Sequence, residues 1–324
     1  MHLNDFQKRL CNRLQQGLTI CERPFAKVAC ALGVDERDVL REVRGLKRVG
    51  VIRRIGASVN YRALGFASTL VATRVPVDKL EQVTEAVNAL DGVSHNYLRE
   101  HYYNMWFTLQ AKTTKEIRRS LAELSERFGV DFHSLPAERV FKLDVRFDAE
   151  GGKRIVQRDI ESAPKEGKIR LSDKEKHILT ALQRDLAVAS EAFAFLANRR
   201  TGIEQALGVV GELIDKGVIR RIGAVVDHRM LGFTANAMFV AEAANERIVL
   251  VGRNLARLNP VSHCYQRRIF AGWPYNLFAM MHGRSMKQIR DVATGFAEEH
   301  GISRWELLVT LAELKKQPVR WDLR

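Results

Sequence analysis

Histidine, tyrosine and arginine recur at alternate positions in two stretches of this chain, His95-x-Tyr97-x-Arg99 and His263-x-Tyr265-x-Arg267. On a β-strand alternate side chains share one face, so each triplet, with His101 added in the first, projects to one side. A strand lining only a hydrocarbon core would not carry such groups. An arginine grips a carboxylate through its planar fork, a histidine moves a proton near neutral pH, and a tyrosine holds or relays one. The plain alternative is a solvated strand face, and recurrence of the triplet in two places weighs against it. His95, His263, Tyr97 and Tyr265 are therefore the candidate catalytic groups.

Two further sets could complete a site. Arg53-Arg54 and Arg220-Arg221 each open a short alternating stretch; they would clamp substrate carboxylates beside Arg99 and Arg267, touch nucleic-acid phosphates, or form a solvated basic edge. Tyr103-Asn104-Met105-Trp106-Phe107 and Trp273-Pro274-Tyr275-Asn276 bring planar groups near the triplets. His101, Asn104, Trp106, Trp273, Tyr275 and Asn276 are candidate pocket residues, although an aromatic-rich strand is more often core. His282 could approach the pocket, whereas His133, His177, His228 and His300 read as surface or structural. Cys11, Cys21, Cys30 and Cys264 form no C-x-x-C pair, so a metal of the protein's own is not expected.

An internal repeat positions these residues. Val51-Ile52-Arg53-Arg54-Ile55-Gly56-Ala57 returns as Val218-Ile219-Arg220-Arg221-Ile222-Gly223-Ala224, and Leu64-Gly65-Phe66 as Leu231-Gly232-Phe233, 167 residues on. Val93-Ser94-His95 returns as Val261-Ser262-His263, and Tyr103-Asn104 as Tyr275-Asn276, so the offset grows through small insertions. In each copy, apolar periodicity and caps predict helices, the first copy's over Pro24 to Leu32, ended by Gly33, and Asp35 to Val49, before a wing strand. A βαββαβ pattern follows, from Ser68 to Asp144 and from Ala235 to Leu314. The expected class is α+β, a tandem duplication of winged helix-turn-helix plus ferredoxin-like domain. The expected domains are a winged helix at 1–66, a ferredoxin-like domain at 67–148, a linker at 149–170, a second winged helix at 171–233 and a second ferredoxin-like domain at 234–324. A one-sided sheet must be covered, and the two copies covering each other would make a pseudo-symmetric internal dimer. Exposed sheet edges would favour further pairing into a homo-oligomer or with a second subunit pair.

A net charge of +14 suits a polyanionic partner, whether nucleic acid, anionic membrane surface or small molecule. No apolar run is long enough for a membrane span, and the first residues lack an export pattern. A cytoplasmic protein is the expectation.

The architecture resembles the Lrp/AsnC transcription regulators. A base-reading helix would, however, open here on Asp35-Glu36-Arg37-Asp38, and its counterpart near Thr201 to Lys216 carries three carboxylates and one lysine, with Gly208 and Gly211 inside. DNA is not the expected partner. The closer resemblance is to the siroheme decarboxylases, which share that fold. It rests on Val51 to Ala57, on Ser94-His95-Asn96-Tyr97-Leu98-Arg99-Glu100-His101 with Tyr103 to Phe107, and on Ser262-His263-Cys264-Tyr265-Gln266-Arg267 with Trp273 to Asn276. It spans nearly the whole chain, the two copies resembling the family's two subunit types fused. The resemblance implies cofactor-independent removal of the C12 and C18 acetate carboxyls of siroheme, giving 12,18-didecarboxysiroheme for haem b or haem d1 synthesis. His95 or His263 would supply the proton, with the first-copy histidines favoured, or a histidine would ligate the substrate iron. A DNA-binding regulator and a haem-binding sensor without turnover are the alternatives.

Overall fold

The computed structural model describes residues 3–143, 146–150, 169–198, 201–321 and 323. Most of the expected linker, 151–168, lies outside the described residues. The first copy opens with three helices, α1 (Asp5–Gln16), α2 (Pro24–Leu32) and α3 (Glu36–Arg48). Asn4 and Gln7 form a capping box that starts α1. Pro24 occupies the first turn of α2, and Gly33, at φ 67°, ends it. Val39, Leu40, Val43 and Leu46 give α3 one buried stripe.

The helices lead into β1 (Ile52–Val59). The second copy differs in its helical part. It has α6 (Asp173–Leu182) and α7 (Ile203–Asp215) before β6 (Ile219–Val226), but where α2 should recur there is one 3-10 turn, Ala194–Leu196. The expected wings also behave differently from a hairpin within each copy. β1 and β6 pair antiparallel with each other, Gly56 opposite Gly223. The two glycines of the repeated motif thus sit at the centre of a ribbon joining the copies. A Cβ at Gly223 would lie 2.6 Å from the Leu14 carbonyl oxygen, so only glycine lets α1 pack this closely.

The sheet elements are β2 (Ala67–Thr73), α4 (Leu80–Ala89), β3 (Val93–Arg99), β4 (Met105–Ala111), α5 (Thr114–Phe128) and β5 (Phe132–Leu143). Their second-copy equivalents are β7 (Ala235–Ala241), α8 (Ile248–Arg257), β8 (Val261–Arg267), β9 (Leu277–Gly283), α9 (Met286–His300) and β10 (Trp305–Lys316). The sheets do not merely face each other, as expected. They join edge to edge into one closed barrel, ordered β10-β3-β4-β2-β5-β8-β9-β7. The junctions are the two long strands. β5 pairs with β2 over 132–136 and then with β8 over 137–143. β10 pairs with β7 over 305–309 and then with β3 over 310–316. Closure leaves the barrel itself without an open sheet edge, while β1 and β6 form a separate two-stranded sheet.

The outer faces of the barrel bury apolar cores under α4 and α5 on one side and α8 and α9 on the other. Inside, Leu70, Ala72, Trp106, Leu135, Met238, Val240, Trp273, Tyr275, Phe278 and Leu308 pack together. Full burial of a large apolar side chain here contributes about 1.5–3 kcal/mol. No described helix is long and apolar enough to cross a membrane.

Candidate active site

β3 and β8 lie opposite each other, four strands apart in either direction, and every neighbouring pair between them is antiparallel. They therefore run the same way, so that both hairpin loops emerge at one rim of the barrel. Both strand starts, with His95 and His263, lie at the other rim, below the β1–β6 ribbon.

A bulge aims each triplet. Val93 pairs with Leu109 but His95 pairs with Thr108, and Val261 pairs with Met281 but His263 with Met280. One extra residue, Ser94 or Ser262, changes the facing. Val93 and Val261 join the cores under the helices, while His95-Tyr97-Arg99 and His263-Tyr265-Arg267 turn inward. Each bulge serine then holds its histidine. Ser94 Oγ lies 2.8 Å from His95 Nδ1 and 2.7 Å from Thr108 Oγ1. Ser262 Oγ lies 2.9 Å from His263 Nδ1 and 3.0 Å from His282 Nε2. In both copies the serine thereby engages Nδ1 of the triplet histidine.

The arginines end buried. Arg99 donates from Nη1 to the Leu308 carbonyl (3.0 Å) and to Thr310 Oγ1 (2.8 Å), and lies over the Tyr97 ring. Arg267 donates from Nη1 to the Leu135 carbonyl (2.8 Å), with its guanidinium 4.6 Å from the Tyr265 ring centroid. Neither forms an ion pair among the described residues, and Nε of each lacks a hydrogen-bond partner. Burial pushes both guanidinium values down to about 10. Two uncompensated cations inside a protein are what a polyanionic ligand would stabilise.

The surroundings of the triplets differ. Around His95 and Tyr97, Arg53 donates to Asp227 Oδ2 from Nε (3.0 Å) and Nη2 (2.7 Å), and lies 3.5 Å from Glu313. Glu313 also pairs with Arg229 (3.0 Å) and Lys316 (3.4 Å). Burial first, then the Lys316 charge, lowers the His95 imidazole to about 4, so it is neutral at pH 7 in the free protein. Burial and then Glu313 raise the Tyr97 hydroxyl to about 12. Among the described residues, the charged neighbours of Tyr265 are Arg267, Arg62 and Arg220, with no carboxylate among them. Among the described residues Arg220 Nη2 bonds the neutral Asn60 Oδ1, at 3.0 Å.

Both copies match the family described as the AsnC-like ligand binding domain, over residues 63–142 and 230–315. Residues 7–53 match the siroheme decarboxylase NirDL-like HTH domain. The siroheme decarboxylase of Hydrogenobacter thermophilus is 35% identical over 98% of this chain and 95% of its own length. The siroheme decarboxylase NirDL subunit of Paracoccus denitrificans is 33% identical over 90% of this chain and 89% of its own. A siroheme decarboxylase NirDL crystallised with an iron-uroporphyrin III analogue superposes with a TM-score of 0.73, at 32% identity, over 98% of this chain and 95% of that one. This chain belongs to the siroheme decarboxylase family.

Within this decarboxylase frame the sequence-predicted residues fall into three groups. His95, Tyr97, Arg99, His263, Tyr265 and Arg267 face the barrel interior, and Arg53 and Arg220 approach them from the ribbon. Arg54 and Arg221 point the other way, to the Ala57 carbonyl (3.2 Å) and the Gln15 carbonyl respectively, because neighbours on a strand face opposite sides. His101, Asn104, Trp106, Trp273, Tyr275 and Asn276 lie at the far rim. His101 does not continue the β3 face; the strand ends at Arg99 and the chain bends, placing His101 Nε2 3.3 Å from Glu306 and its ring against Trp273. Asn104 clamps the Val75 backbone and Asn276 the Ala243 backbone, each through two hydrogen bonds. Trp106, Trp273 and Tyr275 plug that rim.

Sequence reasoning missed Ser94, Ser262, Arg62, Asp227, Arg229, Glu313 and Lys316. A signal existed for the arginines: Asn60-Tyr61-Arg62 and Asp227-His228-Arg229 keep the 167-residue offset, and only the arginine is common. His228, read from sequence as surface or structural, is buried with its ring 4.8 Å from that of His282. His282 itself reaches the site through Ser262. No group of three or more described His, Cys, Asp or Glu residues is placed to hold a metal ion.

Proposed function

We propose that this protein decarboxylates siroheme, removing the C12 and C18 acetate carboxyls to give 12,18-didecarboxysiroheme, on the route to haem d1 or haem b. The observation that carries this reading is the pair of inward His-Tyr-Arg triplets with uncompensated arginines, in a chain similar along its length to siroheme decarboxylases. The overall change at each acetate is R–CH2–COO⁻ plus H⁺ giving R–CH3 and CO2. Protonation of the pyrrole ring provides the electron sink as the C–C bond breaks. The methylene then takes a proton and the ring releases one. Buried arginines hold the remaining carboxylates and a histidine Nε2 delivers the methylene proton. Substrate carboxylates beside a triplet histidine raise its basicity, which matters for His95 because it is neutral in the free protein. The iron belongs to the substrate, and the chain needs no resident cofactor for this chemistry.

In this reading the chain is an internal pseudo-dimer of a regulator-like frame, with α6 and α7 a reduced second winged helix. The first helical unit is docked rather than presented to DNA. Arg44 of α3 donates to the Val188 carbonyl at 2.7 Å and Lys47 pairs with Asp185 at 2.7 Å, both in the second copy. The test is anaerobic incubation of the purified chain with siroheme, followed by mass spectrometry. A product lighter by two CO2 is expected, and His263→Ala or His95→Ala should abolish its formation while leaving most binding. An unchanged mass would overturn the enzyme reading in favour of a sensor.

A further inference from the structure

The two bulge serines lead to different groups. In the first copy Ser94 Oγ joins His95 Nδ1 to the Thr108 hydroxyl. In the second, Ser262 Oγ lies 2.9 Å from His263 Nδ1 and 3.0 Å from His282 Nε2, so two imidazoles share one hydroxyl. The difference is set by β4 and β9, which match residue for residue. Their fourth residues are Thr108 and Met280, and their sixth are Gln110 and His282. Beyond His282 the ionisable groups continue. Its ring centroid is 4.8 Å from that of His228, which is buried and whose Nε2 has no hydrogen-bond partner among the described residues. Asp227 and Arg229, next to His228 in the chain, and Glu313 and Lys316 of β10 are its charged neighbours. Arg229 reaches solvent.

A serine hydroxyl carries one hydrogen and can accept others. That of Ser262 can point to the Met280 carbonyl, at 3.2 Å, or to His263 Nδ1. In the second orientation His282 donates from Nε2 to Ser262 Oγ, and neutral His263 holds its own proton on Nε2, the tautomer that a donor needs. Each acetate lost as CO2 consumes one proton. A neutral imidazole that gave up its Nε2 proton alone would be left as an imidazolate anion, which a buried site disfavours. Resting on the decarboxylase reading, we propose that His282 reloads His263 through Ser262. As Nε2 of His263 protonates the methylene, its Nδ1 takes the serine hydrogen. The serine takes the His282 Nε2 hydrogen, and His282 Nδ1 takes a proton supplied by water. His263 ends neutral, and the one proton that the reaction consumes comes from solvent. In the first copy Gln110 stands where His282 does, and a carboxamide does not hand on a proton near neutral pH. His282 touches no substrate atom in this relay; it is a positioning residue acting through Ser262 and His263.

The full chain is assayed anaerobically with siroheme, and its affinity for iron uroporphyrin III is read from the Soret band. His282→Gln is the deciding variant, because a glutamine amide keeps an N–H donor for Ser262 but cannot exchange it along a relay. Its turnover number should fall about tenfold, less than the roughly hundredfold that loss of a direct donor costs. Its affinity for the macrocycle should stay within about threefold of the native value. Its rate should also rise with the concentration of imidazole buffer, while that of the native chain does not. Gln110→Met, at the same strand position in the first copy, should change turnover by less than about threefold. A His282→Gln chain with native turnover overturns the relay. So does a loss of rate matched by an equal loss of affinity, unmoved by imidazole, or equalled by Gln110→Met. Undiminished turnover in His263→Ala overturns it too. In each of these cases a native chain that still forms the didecarboxylated product leaves the decarboxylase reading standing. A native chain that forms none refutes that reading and the relay with it.

Discussion

Arg267→Met separates ligand binding from folding. The native side chain is 8% exposed, has no acidic partner among the described residues, and leaves Nε without a hydrogen bond. An arginine keeps its proton throughout the accessible pH range, so its lowered value of about 10 is best taken as the free-energy penalty of holding the charge in the barrel. That is more than two decades below the usual guanidinium value, and at 1.36 kcal/mol per decade it corresponds to about 3 kcal/mol of destabilisation. Methionine fills similar volume without the charge. It forfeits the stacking on Tyr265 and leaves the Leu135 carbonyl without this donor, which costs about 1–3 kcal/mol. The two changes nearly cancel, so in the absence of ligand the variant should unfold at the same urea concentration as the native chain or slightly higher. Binding should respond quite differently, with macrocycle affinity falling by about a hundredfold, from the loss of a desolvated charge-assisted contact worth about 3 kcal/mol. Urea midpoints by circular dichroism, with and without iron uroporphyrin III, measure both effects. A variant destabilised by more than about 2 kcal/mol without ligand, and binding normally, would refute the view that this charge is kept for a ligand.

Other perturbations probe different parts of the structure. His95 and His228 both have imidazoles lowered to about 4 by burial, so between pH 6.5 and 4 the unfolded chain binds more protons than the folded one. Their stabilising contribution is present above pH 6.5 and lost as pH falls towards 4; His95→Gln with His228→Gln should flatten the urea midpoint across that window. Gly223→Ala should destabilise by about 1–3 kcal/mol, since its Cβ would meet the Leu14 oxygen at 2.6 Å. Gly211→Ala, in open space within α7, should instead stabilise by about 0.5–1 kcal/mol, and thermal melts will show whether the signs differ. Ser262→Ala should lower the turnover number several-fold with macrocycle affinity unchanged, because it disconnects His263 from His282; equal rates for the variant and the native chain would remove Ser262 from the proton path.

Much of this was legible from residues that obey simple periodicity. The alternation of His95, Tyr97 and Arg99 identified a shared face, and the repeated motif ending in Gly56 and Gly223 identified the duplication. What escaped depends on single-residue irregularities or on distance along the chain. Alternation cannot reveal that Ser94 and Ser262 are bulged, yet the bulges place Val93 and His95 on opposite faces. β5 and β10 read as ordinary final strands, whereas each has 12 residues and changes partner midway, which is what closes the barrel. His101 fits the strand period but follows the last strand residue, so its side chain belongs to the far rim. Glu313 and Lys316 lie more than 200 residues from the triplet they adjoin, and only the β10–β3 ladder brings them there.

The difference in charge beside the two triplets gives a physical reason for carrying two copies in one chain. In a symmetric dimer each residue appears once in both halves of an isologous interface, so an acid placed beside one triplet would stand beside the other as well. Fusion removes that constraint. Glu313 can face Tyr97 while Val140 faces Tyr265, and Asp227 can hold Arg53 while Asn60 holds Arg220. The ion pairs beside the first triplet then link the ribbon to the barrel, through Arg53 to Asp227 and Glu313. The same reasoning explains why the far rim stayed closer to symmetric. Asn104 and Asn276 perform the same backbone clamp in each copy, since a structural task imposes the same requirement on both halves. Divergence in charge is instead found beside the triplets, at Glu313 against Val140 and Asp227 against Asn60.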